Sequence, residues 1–139
     1  MSAQSLVRRI ASPKQALAGT ALAAVTAGAL LTAAPAQAAA PASPADARAV
    51  AQKMIGDSSQ YQCFAHIVDH ESDWNVSATN ASSGAYGLVQ ALPGTKMASA
   101  GADWKTNPAT QIEWGLDYMN DRYGSPCDAW DFWQANSWY

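Results

Sequence analysis

The feature that most limits the fold is how unevenly charge and aromatic rings are distributed along the 139-residue chain. Every acidic residue lies at or after Asp46, and so does each of the aromatic residues. Residues 1–45 carry only three charged side chains, Arg8, Arg9 and Lys14, and all are basic. The foldable part is therefore about 100 residues long, which is the size of one small domain.

Residues 1–38 have the pattern of a secretory signal peptide. The basic residues come first, an uncharged Ala/Leu-rich run spans 16–34, and Ala36-Gln37-Ala38 supplies a cleavage site. An uncleaved membrane anchor is the alternative, but alanine contributes little to membrane insertion. We therefore expect a secreted protein in the cell wall or outside the cell, without stable membrane insertion after cleavage. Residues 39–45 are predicted to be an unstructured lead, and 46–139 to be the domain.

The residues after Ala38 are acidic. They include five basic and 11 acidic side chains, a net charge of −6. Such a charge repels phosphate backbones, so we expect no nucleic-acid partner. The high aromatic content excludes a disordered acidic tail, and we expect a folded monomer.

Cys63 and Cys127 are the only cysteines of the chain. In an oxidising compartment two cysteines are expected to form one disulfide, and two free buried thiols are the alternative. The two cysteines are 64 positions apart. Closing a loop of this length with a disulfide stabilises a small domain by roughly 4 kcal/mol in the chain-entropy model.

Hydrophobic periodicity and capping residues predict a mostly α domain of the α+β kind. The predicted helices lie between Ser43 and Gly56, at 60–72, at 93–97, between Thr106 and Gly124, and at 129–134. The helical pattern is interrupted after the second long helix, where 86–90 is predicted to be a short strand. A short β-hairpin or an irregular region is therefore expected there.

Glu71 is one of only two glutamates after Ala38, the other being Glu113. It falls close to the end of its predicted helix, on an apolar stripe that also contains Phe64, Ile67 and Val68. A carboxyl group that faces a core loses hydration, which raises its pKa and favours the protonated form. Such a group suits general-acid catalysis at a glycosidic oxygen, whereas the alternative is a solvated or ion-paired carboxylate.

Three stretches surround and follow Glu71 with a characteristic spacing. They are Glu71-Ser72-Asp73-Trp74-Asn75, then Ser83-Gly84-Ala85-Tyr86-Gly87-Leu88-Val89-Gln90 with Pro93 and Thr95, then Asn107-Pro108, Gln111-Ile112, Gly115 and Tyr118-Met119. Together they resemble the motifs of the goose-type lysozyme and soluble lytic transglycosylase family. The resemblance implies a lysozyme-like fold, peptidoglycan glycan strands as the substrate, and a transglycosylase or muramidase-like glycosidase without a cofactor or metal.

The resemblance also implies that Glu71 is the sole catalytic acid/base. In the family this residue protonates the leaving oxygen of the β-1,4 bond between N-acetylmuramic acid and N-acetylglucosamine. Lytic transglycosylases then use the C6 hydroxyl of the sugar, and goose-type lysozymes use water. Asp69 and Asp73 lie two residues before and two residues after Glu71. Side chains at this spacing on a helix point away from each other, which favours a single-acid route.

Further site residues are carried over by the resemblance. Ser83 would bond the acid or the sugar, Gly84 and Gly87 would allow close approach of the glycan, and Gln90 would bond an N-acetyl group. Tyr118 matches a tyrosine that lies near the catalytic acid in the family, and Asn136 matches an asparagine of the family. Among the tryptophans, Trp74 is the preferred sugar platform, Trp133 and Trp138 are further platforms, and Trp114 and Trp130 are predicted to be core residues.

Four alternatives remain open. Two are catalytic relatives, a lysozyme-type hydrolase and a domain like the resuscitation-promoting factors. The third is a non-catalytic module that binds the cell wall or promotes aggregation. The fourth is a zinc hydrolase, because His66, Asp69 and His70 form an H-x-x-D-H pattern on one helix.

Overall fold

The computed structural model describes residues 40–139, so the predicted signal peptide lies outside the described residues. The elements in this part are α1 (Pro44–Ile55), α2 (Ser58–Ser72), a short 3₁₀ helix (Gly94–Ser99), α3 (Pro108–Tyr123) and α4 (Pro126–Asn136). The prediction of a small, mostly helical, lysozyme-like domain is confirmed. None of the helices between residues 40 and 139 is both long enough and apolar enough to cross a membrane.

The helices begin at residues whose side chains cap the free backbone N–H groups of the first turn. The Ser43 hydroxyl accepts a hydrogen bond from the Asp46 amide, and the Asp46 carboxylate accepts one from the Ser43 amide, which completes a capping box. Helix α1 thus already includes Pro44 and Ala45, the last two residues of the predicted lead. The Asp57 carboxylate accepts one hydrogen bond, of 2.9 Å, from the Gln60 amide and so caps α2, which begins two residues before its predicted start.

The region after α2 is irregular, and the predicted strand at 86–90 is wrong. Tyr86 forms isolated antiparallel bridges with Thr79 and Ala91. Between Tyr86 and Ala91 the chain reverses within four residues, with positive φ angles of 84° at Gly87 and 52° at Gln90. A reversal this tight leaves no room for an extended strand.

All four α-helices, the 3₁₀ helix and the irregular region contribute to the core, and its large side chains come mainly from α2, α3 and the irregular region. The predicted apolar stripe of α2 is buried at Phe64, Ile67 and Val68, and α3 buries Ile112, Gly115 and Met119 on one face. Gly115 lets α3 lie directly on the irregular region, because a Cβ there would come within 2.6 Å of the Val89 side chain. The helix α3 is thereby packed close to the residues that follow α2.

The predicted disulfide between Cys63 and Cys127 is present. It links α2 to the first turn of α4. Beside it, the Cys127 amide donates a hydrogen bond of 3.1 Å to the Gln60 side chain. Helix α4 is therefore fixed against α2 at one end by a covalent bond and a hydrogen bond.

Candidate active site

Glu71 lies in the last turn of α2, partly buried, and faces a surface cavity of about 170 Å³. We call this the Glu71 cavity. Its lining residues come from α2, the irregular region, the 3₁₀ helix, α3 and the segment after α4; they are Glu71, Val89, Gln90, Ala91, Leu92, Lys96, Trp114, Tyr118, Trp138 and Tyr139. Glu71 is the only lining residue in the described part of the chain with a carboxylate side chain, so the cavity offers one acidic side chain.

The Glu71 carboxyl group is held by a tryptophan from α4. The indole N–H of Trp133 donates a hydrogen bond of 2.8 Å to Glu71 Oε1. Burial raises the pKa of Glu71, while this hydrogen bond and the nearby His70 ring lower it in part. The net direction is upward, which favours the protonated form required of a general acid.

Trp133 is itself fixed by a row of flat rings that we call the aromatic stack, formed by His66, Trp130, His70 and Trp133. The ring of His70 stacks on Trp133 with 4.3 Å between centroids and on Trp130 with 5.6 Å. His66 stacks on the same Trp130 ring at 5.0 Å. The stack connects α2 to α4 and determines where the Trp133 N–H points.

The opposite side of the cavity is formed by the irregular region. The Gln90 side chain lines the cavity, and its Nε2 donates hydrogen bonds to the carbonyl oxygens of Ala78 and Gly87 at 3.1 and 2.9 Å. These bonds use the amide nitrogen and leave Oε1 to a ligand. Gln90 therefore both closes the turn and presents an acceptor to the cavity.

A buried glutamine of α3 holds this irregular region in place. Gln111 is completely buried, and its Oε1 accepts a hydrogen bond of 2.8 Å from the Leu88 amide. Its Nε2 donates to the carbonyl oxygens of Val76 and Trp104, at 2.9 and 2.8 Å. One side chain thus satisfies three backbone groups. Gln111 belongs to the third motif of the family resemblance, but the motif did not predict that its side chain would hold the irregular region.

Of the residues predicted to bind substrate, Gln90 and Tyr118 lie in the Glu71 cavity. The Tyr118 ring stacks on Trp114, with 5.2 Å between centroids and 16° between planes. Trp114 was expected in the core, but it is partly exposed and lines the cavity with Tyr118. Trp138 also lines the cavity and is 51% exposed.

The structure does not bring three other predicted residues into the cavity lining. Ser83 is exposed, and its hydroxyl accepts a hydrogen bond from the Ala85 amide. Gly87 is buried against Gln111, whose Oε1 would be 2.7 Å from an added Cβ. Asn136 is exposed on α4 and donates to the Phe132 carbonyl oxygen. In the structure, each of these residues therefore contacts neighbouring protein groups and does not line the Glu71 cavity.

The prediction that Trp74 faces a sugar is wrong, because its side chain is completely buried. Asp73 adopts a left-handed conformation at the end of α2 and turns the chain inward. The Trp74 indole N–H then donates a 2.8 Å hydrogen bond to Asp69, and the Arg48 guanidinium lies 4.8 Å above its ring. Trp74 is thus a core residue.

Asp69 and Asp73, the acids nearest to Glu71 in sequence, are absent from the described cavity lining. Asp69 forms an ion pair of 2.6 Å with Arg48. Asp73 is exposed at the end of α2. A second carboxylate at the spacing of a retaining or inverting pair is therefore not provided by either residue.

The H-x-x-D-H pattern does not gather metal ligands in the described part of the chain. Within residues 40–139, no three His, Cys, Asp or Glu residues lie close enough to hold a metal ion. His66 and His70 instead belong to the aromatic stack, and Asp69 bonds Arg48 and Trp74.

Sequence reasoning missed Tyr139 and Lys96 as residues of the cavity. The Tyr139 hydroxyl donates a hydrogen bond of 2.7 Å to the Val89 carbonyl oxygen. Burial, and then the Glu71 charge, raise the pKa of Tyr139 well above its ordinary value. No local pattern in the sequence marks either residue, although Lys96 directly follows the family's Pro93 and Thr95.

Residues 48–136 match the protein family described as Transglycosylase SLT domain. This range covers well over half of the chain, which therefore belongs to that family. The class defined by the fold and the family is a peptidoglycan-acting enzyme of the lytic transglycosylase type. No curated protein and no solved structure was found to match the chain.

Proposed function

We propose that this protein is a secreted lytic transglycosylase with Glu71 as its single catalytic acid/base. The bond cleaved is the β-1,4 linkage between N-acetylmuramic acid and N-acetylglucosamine in peptidoglycan glycan strands. The observation that carries the proposal is the Glu71 carboxyl group itself. It is partly buried, its pKa is raised, and no other described residue that lines the cavity has a carboxylate side chain.

The hydrogen bond from Trp133 favours one of the two Glu71 carboxyl oxygens as the carrier of the proton. An indole N–H is a donor only, so Glu71 Oε1 must act as the acceptor. In the protonated state the proton then belongs on Oε2. Trp133 is therefore a positioning residue that directs the acid proton of Glu71 toward the cavity.

The reaction can proceed with this one carboxyl group. Oε2 gives its proton to the glycosidic oxygen, and the C–O bond breaks to leave positive charge on the muramic acid ring. The ionised Glu71 then accepts the proton of the C6 hydroxyl while that oxygen attacks C1, forming a 1,6-anhydro ring. Glu71 ends protonated, as it began, and no water is consumed.

The hydrolytic alternative needs an activated water in place of the C6 hydroxyl. Glu71 could serve that reaction too, as in the goose-type lysozymes that the motifs resemble. The absence of a second carboxylate among the described lining residues favours the intramolecular route, because inverting and retaining glycosidases normally use a pair.

Sugar contacts are proposed for Gln90, Tyr118 and Trp138. Gln90 offers an amide oxygen to an N-acetyl N–H, and Tyr118 is carried over from the family motif. Trp138 presents an exposed ring to stack on a sugar. For Ser83, Gly87 and Asn136 the structural contacts support a role in shaping the surrounding segments.

Export to the cell wall or the medium is part of the proposal. It is supported by the signal-like pattern of residues 1–38 and by the Cys63–Cys127 disulfide, since disulfides persist in oxidising compartments. Peptidoglycan is reached only from that side of the membrane.

The proposal is tested by Glu71→Gln, with Glu113→Gln as the matched control. Glu113 is the other glutamate after Ala38, and it is exposed on α3. Loss of the acid is expected to lower the rate of glycan release from purified sacculi by about 10²- to 10⁴-fold, while Glu113→Gln leaves it unchanged. An unchanged rate in Glu71→Gln would show that Glu71 is not the catalytic acid. Wall binding by the native protein without any release of glycan would identify a non-catalytic module instead.

The product distinguishes the two catalytic routes. Muropeptides released by a lytic transglycosylase end in anhydro-muramic acid and are lighter by one water than hydrolysed ones. Mass spectrometry of products from the native protein is therefore expected to show anhydro ends. Reducing ends would assign the lysozyme-type hydrolase.

A further inference from the structure

Lys96 is the one cation among the ten described residues that line the Glu71 cavity. It is exposed, and it lies in the middle of the 3₁₀ helix Gly94–Ser99. A lysine here stands out because the residues after Ala38 carry a net charge of −6. Lys96 therefore places a positive charge at the cavity of an otherwise acidic domain.

The backbone that carries Lys96 is firmly held. Met97, the next residue, is completely buried. Gly94 packs so closely that an added Cβ would come within 2.7 Å of the Tyr86 side chain and 3.2 Å of the Trp104 ring. The Lys96 amide donates to the Pro93 carbonyl oxygen at 3.1 Å. Lys96 thus lines the cavity from a firmly held segment of backbone.

Lys96 has no carboxylate partner within residues 40–139. The ion pair found in this part of the chain joins Arg48 to Asp69. Lys96 is also not among the groups that shift the pKa of Glu71, which are its burial, Trp133 and His70. Its charge therefore serves neither the fold nor the tuning of the acid, and it is available to a ligand.

We propose that Lys96 forms a subsite for a carboxylate of the substrate, an inference that rests on the proposed function. N-acetylmuramic acid differs from N-acetylglucosamine by a lactyl ether, whose carboxyl group is free in a denuded glycan. In intact peptidoglycan that carboxyl is bound to a peptide, which carries carboxylates of its own. Leu92, 52% exposed in the same cavity, offers an apolar surface to the lactyl methyl group.

The subsite gives the protein a means of distinguishing peptidoglycan from chitin. Both polymers have β-1,4-linked N-acetylated sugars, and only peptidoglycan has the acidic substituent. Lys96 is thus a specificity-determining residue that senses the substituent, whereas Gln90 and Trp138 contact features common to both sugars.

The test measures binding in the Glu71→Gln protein, which holds a glycan without cutting it. Three tetrasaccharides serve as probes: chitotetraose, a denuded peptidoglycan tetrasaccharide, and the same tetrasaccharide with its peptides. Adding Lys96→Met is expected to weaken binding of the acidic probes by about five- to tenfold and to leave chitotetraose unchanged. The acidic probe that loses more affinity identifies the lactyl or the peptide carboxylate as the partner.

Two control variants accompany Lys96→Met. Lys96→Arg keeps the cation and is expected to retain most of the affinity for the acidic probes. Lys53→Met removes the same charge from α1, outside the lining of the Glu71 cavity, and is expected to change nothing. Added salt is expected to weaken binding of the acidic probes while Lys96 is present and to have little effect after Lys96→Met.

The outcomes separate this inference from the proposed function. If the Glu71→Gln protein binds both acidic probes equally well with and without Lys96→Met, the carboxylate subsite is overturned and the glycan site remains. The same holds if all three probes lose the same affinity. If the Glu71→Gln protein binds none of the three probes, both the subsite and the proposed function fail.

Discussion

The two sides of the Glu71 cavity are built in different ways. On one side, α2 and α4 are joined by the Cys63–Cys127 disulfide and the aromatic stack. On the other side, the irregular region is held to α3 by the hydrogen bonds of one buried residue, Gln111. The helical side carries the acid and its positioning tryptophan, whereas the irregular side offers polar groups to the sugar.

The difference suggests that chemistry and recognition depend on separate supports. Proton transfer requires a carboxyl group with a fixed direction, and stacked rings on two clamped helices provide that. Sugar binding requires backbone and amide groups in an unusual conformation, which no regular helix provides. Damage to one support is therefore expected to affect one function more than the other.

The largest expected effect is on stability, from removal of the disulfide. The double variant Cys63→Ala/Cys127→Ala loses a cross-link between positions 64 residues apart. Unfolding in urea is expected to show a loss of about 3–4 kcal/mol, because the unfolded chain regains freedom. Native protein kept oxidised is the control, and an unchanged midpoint would mean that the ring packing alone holds α4 against α2.

Gln111→Leu is expected to destabilise the irregular side by about 2–3 kcal/mol, because three backbone groups lose their partner. Gln134→Leu, on the exposed surface of α4, is the matched control. Chemical denaturation gives the free energy of unfolding of both. A Gln111→Leu protein as stable as the control would show that the irregular region is held by other contacts.

Trp133→Phe is expected to lower kcat about tenfold by releasing the Glu71 carboxyl group, with little change in KM. The lost N–H also stabilised the ionised form, so the pKa of Glu71 rises further and the basic limb of the pH–rate profile moves to higher pH. Trp130→Phe keeps a ring in the aromatic stack and has no bond to Glu71 among the described contacts. If both variants behave alike, Trp133 acts only through packing.

The smallest expected effect comes from the bond between the chain end and the irregular region. Tyr139→Phe removes the hydroxyl that donates to Val89 and is expected to cost about 1 kcal/mol in unfolding free energy. Tyr123→Phe is the control, because the buried Tyr123 hydroxyl has no partner within residues 40–139. Removing it is expected to be neutral or stabilising. A loss in Tyr123→Phe as large as that in Tyr139→Phe would contradict this assignment of the two hydroxyl groups.

Much of the helical side could be predicted from sequence. Apolar spacing placed Phe64, Ile67 and Val68 in the core, and Glu71 fell on the same stripe, so its partial burial followed from helical geometry. The cysteine count led to the disulfide. These features depend on local periodicity or on composition, which a sequence carries directly.

The irregular side could not be predicted in the same way. The conformation of Gln90 depends on a turn with positive φ, and the position of Gly87 depends on Gln111, which lies on α3. Trp74 was expected at the surface because it follows Glu71, but the left-handed residue at Asp73 turned it inward. Such contacts join residues distant in sequence, and no pattern along the chain records them.

The raised pKa of Glu71 also has a consequence for stability. A carboxyl group whose pKa is higher in the folded state than in the unfolded state stabilises the fold while it is protonated. That contribution is present below the unfolded pKa and is lost as the pH rises through the folded pKa. Glu71→Gln is therefore expected to be at least as stable as the native protein at pH 7, by thermal unfolding, and a clear loss of stability would contradict this.

The most direct test of the account is the titration of the Glu71 carboxyl carbon by NMR. The part of the chain after Ala38 has only two glutamates, so Glu113→Gln assigns the remaining signal to Glu71. The account predicts a pKa above the ordinary glutamate value of about 4.3, and a further rise in Trp133→Phe. An ordinary or lowered pKa would mean that Glu71 is ionised at neutral pH and is not the acid that this site requires.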